Sequence, residues 1–172
     1  MIVRSMLTAA ALLALSTAAF AAETAKASMK NAEGADVGIA TLTQGSKGVT
    51  IKLSLKGLPP GEKAFHVHAV GKCEPPFTSA GGHFNPDNKK HGKMAPDGAH
   101  AGDMPNLTIP DSGRLDIDVV NEAVTLDKGK PNSVFKPEGT ALVIHAKADD
   151  YKSDPAGNAG DRIVCGVIEE VK

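Results

Sequence analysis

The stretch VTIKLSL at residues 49–55 alternates without a break between apolar and polar side chains. A period of two places all of its apolar side chains on one face, which is typical of a half-buried β-strand. Weaker alternation over residues 25–42 predicts two earlier strands, and turn-forming residues at 31–34 and 44–48 separate the three. The sequence LPPG at residues 58–61 ends the third strand.

Further strand patterns follow along the chain, and all of them are short. They lie at residues 65–70, 115–119, 124–126, 141–146 and 162–168. The sequence shows no amphipathic helix pattern and no internal repeat. About eight short strands with polar turns predict an all-β fold, either an antiparallel sandwich or a barrel.

Residues 71–112 interrupt this pattern. They are rich in Gly, Pro, Asn and Asp and have no sustained periodicity. A loop of this length in a compact domain is uncommon and is usually functional. The histidines in this segment favour a functional loop over a wrong assignment of its structure.

The N-terminus has the pattern of a secretory signal. Arg4 is followed by an apolar stretch from Met6 to Phe20, and residues 19–21 have the small-x-small form of a cleavage site. We expect residues 1–21 to be removed after Ala21 and residues 22–172 to form one domain in an exported, periplasmic protein. The alternative is a buried N-terminal helix.

The charge of the expected mature chain excludes some partners. Loss of Arg4 leaves 18 basic and 20 acidic residues, a formal charge of −2. A slightly acidic chain argues against nucleic acid or an anionic membrane surface as partner, whereas a local field can still attract a small anion.

Two cysteines in an exported chain suggest one disulfide, here between Cys73 and Cys165. The alternative is a pair of free buried thiols.

Six histidines form the main chemical feature of the sequence, and His66 and His68 belong to a predicted strand. Side chains at i and i+2 leave a strand on the same face, so both imidazoles can reach one ion. Without further evidence, two histidines at this spacing on a strand are more often exposed side chains than metal ligands. His145 ends an apolar run and could join them across the fold, or it could be a hydrogen-bonded histidine at a strand end.

The irregular loop holds a second cluster of candidate ligands. His83, His91, His100 and Asp103 supply three imidazoles and one carboxylate, a suitable tetrahedral set for zinc. A closed metal site would also hold the loop in place. The alternative for each histidine taken singly is a solvated side chain.

Seven short motifs resemble those of copper/zinc superoxide dismutases, in the order found in that family. They are FHVH (65–68), GGHFNP (81–86), KHG (90–92), DGAHAGD (97–103), VIH (143–145), GNAGDR (157–162) and CGVI (165–168). The resemblance covers essentially the whole mature chain.

The resemblance implies a Greek-key β-sandwich or flattened barrel with a two-metal site. It implies copper ligands His66, His68, His83 and His145, and zinc ligands His83, His91, His100 and Asp103. Four plus three imidazole positions on six histidines require one shared ring, and His83 is that ring in the family.

Further roles are implied by the same resemblance. Asp149 matches a carboxylate that links the copper ligand His66 to the zinc ligand His91. Cys73 and Cys165 match the family disulfide, and Arg162 matches an arginine beside copper.

The implied reaction converts two superoxide anions and two protons into dioxygen and hydrogen peroxide. Copper cycles between Cu(II) and Cu(I), zinc stays redox-silent, and His83 can supply a proton. The resemblance also implies a homodimer, with a monomer as the alternative, and no membrane association after signal removal. Two rival interpretations are a non-enzymatic copper/zinc-binding protein and a purely structural sandwich whose loop is held by zinc.

Some segments depart from the animal enzymes and resemble bacterial ones. Residues 74–77 are extra, residues 151–156 are short, and Ala156 replaces a threonine that lines the channel. The lysines at positions 89, 90, 93 and 152 lie in the two loops expected to frame the site.

Overall fold

Eight strands form one antiparallel sheet in the computed structural model, which describes residues 23–171. The strands are β1 (Thr24–Asn31), β2 (Asp36–Gly45), β3 (Gly48–Leu55), β4 (Gly61–Lys63), β5 (Phe65–His68), β6 (Leu107–Ile109), β7 (Leu115–Asn121), β8 (Ala141–His145), β9 (Arg162–Val167) and β10 (Glu169–Glu170). The sheet runs in the order β5-β8-β9-β1-β2-β3-β7, with β10 beside β1, while β4 and β6 form a second, two-stranded sheet. The sheet curls around one core, so the predicted all-β antiparallel architecture is confirmed.

The alternation in β3 has the predicted structural consequence. Its apolar side chains are buried, and Lys52 and Ser54 between them are exposed. The strand pairs with β2 on one side and β7 on the other, so its buried face lies near the middle of the core. Aliphatic residues dominate this core, and the largest fully buried apolar side chains include Phe65, Met29, Leu42, Leu53, Leu142 and Ile144.

Strands that are distant in the sequence become neighbours at one end of the sheet. β5 pairs with β8, which places His66 opposite Val143. β8 pairs in turn with β9, which places His145 opposite Arg162. The two histidines of β5, the histidine of β8 and the arginine of β9 are therefore carried by three adjacent strands.

The long loop between β5 and β6 is bound to the edge of β5 by backbone hydrogen bonds. The Val67 N–H donates to the Gly102 carbonyl at 2.9 Å, and the Val67 carbonyl accepts from the Phe84 N–H at 2.8 Å. The Gly102 N–H donates to the Phe84 carbonyl at 2.8 Å, which closes the set. Because a Cβ on Gly102 would collide with the Val67 carbonyl, only glycine allows this approach.

Three details differ from the sequence-based expectation. The prediction of a strand at 124–126 is wrong, since Thr125 makes only an isolated bridge to Ser133. The Gln44 side-chain oxygen accepts hydrogen bonds there from the Leu126 N–H at 2.8 Å and the Thr125 hydroxyl at 2.9 Å, in place of a neighbouring strand. The strand predicted over 65–70 ends at His68, and β6 lies inside the segment predicted to be irregular.

The expected signal peptide at 1–21 lies outside the described residues. Within residues 23–171, no helix is long and apolar enough to cross a membrane.

The predicted disulfide is confirmed. Cys73 and Cys165 are bonded, with their Cα atoms 5.7 Å apart and a separation of 92 positions in the chain. The bond connects the long loop to β9, so it holds the start of the loop against the sheet.

Loss of this bond should destabilise the metal-free protein strongly, because the unfolded chain gains the freedom of a long open loop. On the chain-entropy model, a loop of this size corresponds to about 4–5 kcal/mol. We expect Cys73→Ala/Cys165→Ala and the reduced wild-type protein to lose similar amounts of unfolding free energy in urea titrations. A loss below about 1 kcal/mol in the reduced wild-type would show that the bond does not restrain the loop.

Candidate metal centre

The six histidines and Asp103 lie together in one buried cluster. Their exposed fractions run from 0% for His66, His68 and His91 to 8% for His83, His100 and Asp103. They divide into two quartets, in each of which one nitrogen or oxygen atom per residue lies within 4.8 Å of all the others. Buried polar groups at this density require partners, and a metal ion in each quartet would provide them.

The first quartet consists of four imidazoles: His66 and His68 from β5, His145 from β8 and His83 from the long loop. The Nε2 atoms of His68 and His145 are 3.4 Å apart. Burial, aided by neighbouring imidazoles, lowers the pKa of His68 to about 2 and that of His145 to about 3. These rings are therefore neutral at physiological pH, and each has a nitrogen lone pair available to a metal ion.

The second quartet converges on one carboxylate. The Oδ1 atom of Asp103 lies 2.9 Å from Nδ1 of His83, 3.1 Å from Nδ1 of His91 and 3.3 Å from Nδ1 of His100. Its Oδ2 atom accepts hydrogen bonds from the Gly92 and His100 N–H groups, which orients the carboxylate. Three imidazole nitrogens and one oxygen directed at one point suit tetrahedral zinc.

The charges of the second quartet follow from the same contacts. Burial opposes a charge on Asp103, but hydrogen bonds from His100, His83 and His91 outweigh it and hold the pKa far below its usual range. Burial likewise opposes a charge on His91, yet Asp103 and Asp149 raise its pKa to about 9. Without metal, a proton on His91 therefore offsets part of the negative charge of Asp103 and Asp149, and a metal ion would displace it.

His83 belongs to both quartets. Its Nδ1 atom faces Asp103, whereas its Nε2 atom is buried and has no hydrogen-bond partner among the described residues. Nδ1 of His66 is the other buried side-chain atom without a partner in residues 23–171. Both orphaned nitrogens belong to the first quartet, so the donor set fits one metal ion there and a second beyond His83. Four imidazoles suit copper, and three imidazoles with a carboxylate suit zinc.

Asp149 connects the two quartets from outside. Its Oδ2 atom accepts a hydrogen bond from Nε2–H of His66 at 2.8 Å, and its Oδ1 atom accepts one from Nε2–H of His91 at 2.9 Å. These three residues could also be grouped as a metal site. We interpret them as a hydrogen-bonded link, because Nδ1 of His91 points to Asp103 and each Nε2 to the carboxylate. Such a link fixes the tautomer and orientation of metal-binding rings.

Arg162 lies at the start of β9, beside the first quartet. Its charge contributes to the lowered pKa values of His68 and His145, and its Nη1 donates to the Phe77 carbonyl at 2.7 Å. Phe77 belongs to the segment 74–77, which we interpret from the sequence as extra relative to the animal enzymes. The sequence predicted Arg162 at the site, but it contained no indication that this segment would anchor the guanidinium.

The lysines expected to frame the site are all exposed. Lys89 and Lys93 line a cavity of about 450 Å³ that reaches His100 and Asp103. These two lysines therefore line the same cavity as two members of the second quartet.

Comparisons with known proteins agree with this geometry. The family model described as copper/zinc superoxide dismutase matches residues 37–168. The chain is 59% identical to superoxide dismutase [Cu-Zn] 2 of Aquifex aeolicus, over 84% of this chain and 85% of that protein. It is also 42% identical to the superoxide dismutase-like protein YojM of Bacillus subtilis, over 80% of this chain and 72% of that protein.

Solved structures share the fold. A superoxide dismutase-like protein from Bacillus subtilis superposes with a TM-score of 0.80 at 40% identity, covering 83% of this chain and 96% of that one. Cu/Zn superoxide dismutase from Brucella abortus superposes with a TM-score of 0.70 at 29% identity, covering 86% of this chain and 100% of that one.

Replacing Asp149 by Asn should weaken both metal ions, because the amide cannot accept hydrogen bonds from two ring N–H groups at once. Partners of this kind contribute about 10–100-fold to metal affinity. We expect Asp149→Asn to lose copper and zinc to a competing chelator that much more readily, with Asp118→Asn on the exposed face of β7 as control. Unchanged affinity for both ions would show that the link does not support the site.

Proposed function

The chain belongs to the copper/zinc superoxide dismutase family, and we propose that the first quartet holds its copper and the second its zinc. The reaction is the conversion of two superoxide anions and two protons into dioxygen and hydrogen peroxide. In this assignment His66, His68, His83 and His145 bind copper, and His83, His91, His100 and Asp103 bind zinc. The observation that carries the proposal is the His83 ring, which has one nitrogen in each quartet.

The chemistry that the metal ions supply is limited and well defined. When bound, copper accepts an electron from one superoxide anion and donates one to the next, while zinc is redox-silent. The protein keeps His68 and His145 neutral by burial, so that both are ready ligands. Nε2 of His83 has no partner among the described residues, so whenever it is not bound to copper it could hold a proton and deliver it to the reduced substrate.

Arg162 supplies positive charge beside the copper quartet. A guanidinium stays charged at physiological pH and presents five N–H donors in a fixed plane. The hydrogen bond to the Phe77 carbonyl holds that plane in place. We propose that the remaining N–H donors of Arg162 bind the superoxide anion next to His68 and His145 and so orient the anion as it enters the site.

Location and assembly belong to the same proposal. Residues 1–21 are proposed to export the chain, and residues 22–172 to form the mature periplasmic enzyme. The disulfide supports this, because such bonds persist in oxidising compartments. We further propose a homodimer, which sedimentation of the purified mature chain would distinguish from a monomer.

The assay for the proposed metal roles compares three forms of the same protein. Protein loaded with copper and zinc should consume superoxide, protein loaded with zinc alone should not, and addition of copper should restore turnover. Full copper loading without turnover would favour a non-enzymatic copper/zinc-binding protein.

Arg162→Ala should lower the rate of superoxide consumption about tenfold or more, which corresponds to the loss of an interaction of about 1.4 kcal/mol in the transition state. Both metal ions should stay bound, because the guanidinium is not a ligand. Arg162→Lys should retain part of the rate by keeping the charge, and Arg114→Ala, at an exposed position directly before β7, should have the wild-type rate.

Normal turnover by Arg162→Ala with full copper would contradict the role given to Arg162. Loss of copper from this variant would instead indicate that the arginine supports the fold of the site.

A further inference from the structure

The backbone of Asp149 is held by the side chain of Asn106. The Asn106 Nδ2 donates to the Asp149 carbonyl at 3.0 Å, and the Asn106 Oδ1 accepts from the Asp149 N–H at 2.8 Å. One primary amide thus satisfies both backbone polar groups of a single residue, in the manner of a neighbouring strand. This pair of bonds fixes both the position and the direction of the Asp149 peptide groups.

Tyr151 completes a closed set of contacts around Asp149. Its hydroxyl accepts a hydrogen bond from the Asn106 N–H at 2.8 Å, and its own N–H donates to Asp149 Oδ1 at 2.6 Å. Its carbonyl accepts from the Met94 N–H at 3.0 Å, which ties the set to the loop that carries His91. The backbone of Tyr151 has a φ of 62°, a left-handed conformation that bulky residues rarely adopt.

Packing confines Asp149 from the other side. Gly157 has a φ of +64°, and a Cβ there would collide with the Asp149 carboxylate and approach His91 Nε2 to 2.7 Å. The backbone of Gly157 therefore packs directly against the carboxylate, and a larger residue there would displace the carboxylate from the two imidazoles.

We propose that Asn106 and Tyr151 are positioning residues that aim the Asp149 carboxylate at His66 and His91 and thereby set the geometry of both metal ions. The proposal rests on the metal assignment given above. None of the hydrogen bonds of the Asn106 and Tyr151 side chains reaches a metal ligand directly, so their action passes through Asp149.

Two conservative substitutions test this. Tyr151→Phe removes only the hydroxyl, and Asn106→Asp keeps an acceptor for the Asp149 N–H but places an oxygen against the Asp149 carbonyl. The matched control is Asn132→Asp, which likewise places an oxygen against a backbone carbonyl, that of Ala123, in a hydrogen bond that involves neither Asp149 nor Tyr151.

The readouts are the electron paramagnetic resonance spectrum of Cu(II) and the rate of metal release into a chelator. We expect a changed spectrum and roughly tenfold faster release of both ions for Asn106→Asp, with a smaller change of the same kind for Tyr151→Phe. Asn132→Asp should match the wild type in both. A residue that only stabilises the loop would lower the unfolding temperature and leave the copper spectrum unchanged, which would overturn the proposal.

A double substitution separates this inference from the metal assignment. If Asn106 acts through Asp149, then Asn106→Asp should add little to the metal release of Asp149→Asn, because coupled residues are not additive. Fully additive effects would show an independent structural role. If Asp149→Asn releases metal faster but Asn106→Asp does not, only the positioning role of Asn106 is refuted. If Asp149→Asn itself releases metal at the wild-type rate, the link between His66 and His91 through Asp149 is refuted.

Discussion

The sharing of one imidazole between two sets of ligands is the constraint on which the rest of the structure depends. Nδ1 of His83 lies 2.9 Å from Asp103, while its Nε2 is buried on the opposite side of the ring without a protein partner. A ring in this position fixes the distance and orientation of the two sites relative to each other. The other ligands must then arrive from opposite sides, His66, His68 and His145 from the sheet and His91, His100 and Asp103 from the loop.

The sheet and the loop meet this constraint in different ways. Strand pairing places the histidines of β5 and β8 on adjacent strands, so three of the four residues of the first quartet, which we propose for copper, belong to the sheet. The second quartet, which we propose for zinc, lies on a segment with little regular structure. The hydrogen bonds of Val67, the disulfide and Asp149 hold this segment in place. Zinc would add a further cross-link to this loop, so metal binding and loop order are expected to be coupled.

Periodic and compositional features explain which parts could be predicted from the sequence. β3 was predictable because its alternation is unbroken, and the grouping of the candidate ligands because each combines a metal-binding residue type with a family motif. Residues 124–126 have a strand pattern but no strand, because Gln44, about eighty positions earlier in the chain, supplies the hydrogen bonds with its side chain. Asn106, Tyr151 and the Phe77 carbonyl were missed for the same reason. Each acts through one long-range hydrogen bond or a few, and such bonds leave no local pattern.

The most direct test of the shared ring measures the affinity of both metal ions in His83→Ala, beside His145→Ala and His100→Ala as variants of one quartet each. The account predicts that His83→Ala weakens copper and zinc together, that His145→Ala weakens copper while most zinc is kept, and that His100→Ala weakens zinc more than copper. Wild-type affinity for either ion in His83→Ala would contradict the account, because the ring would then belong to a single site.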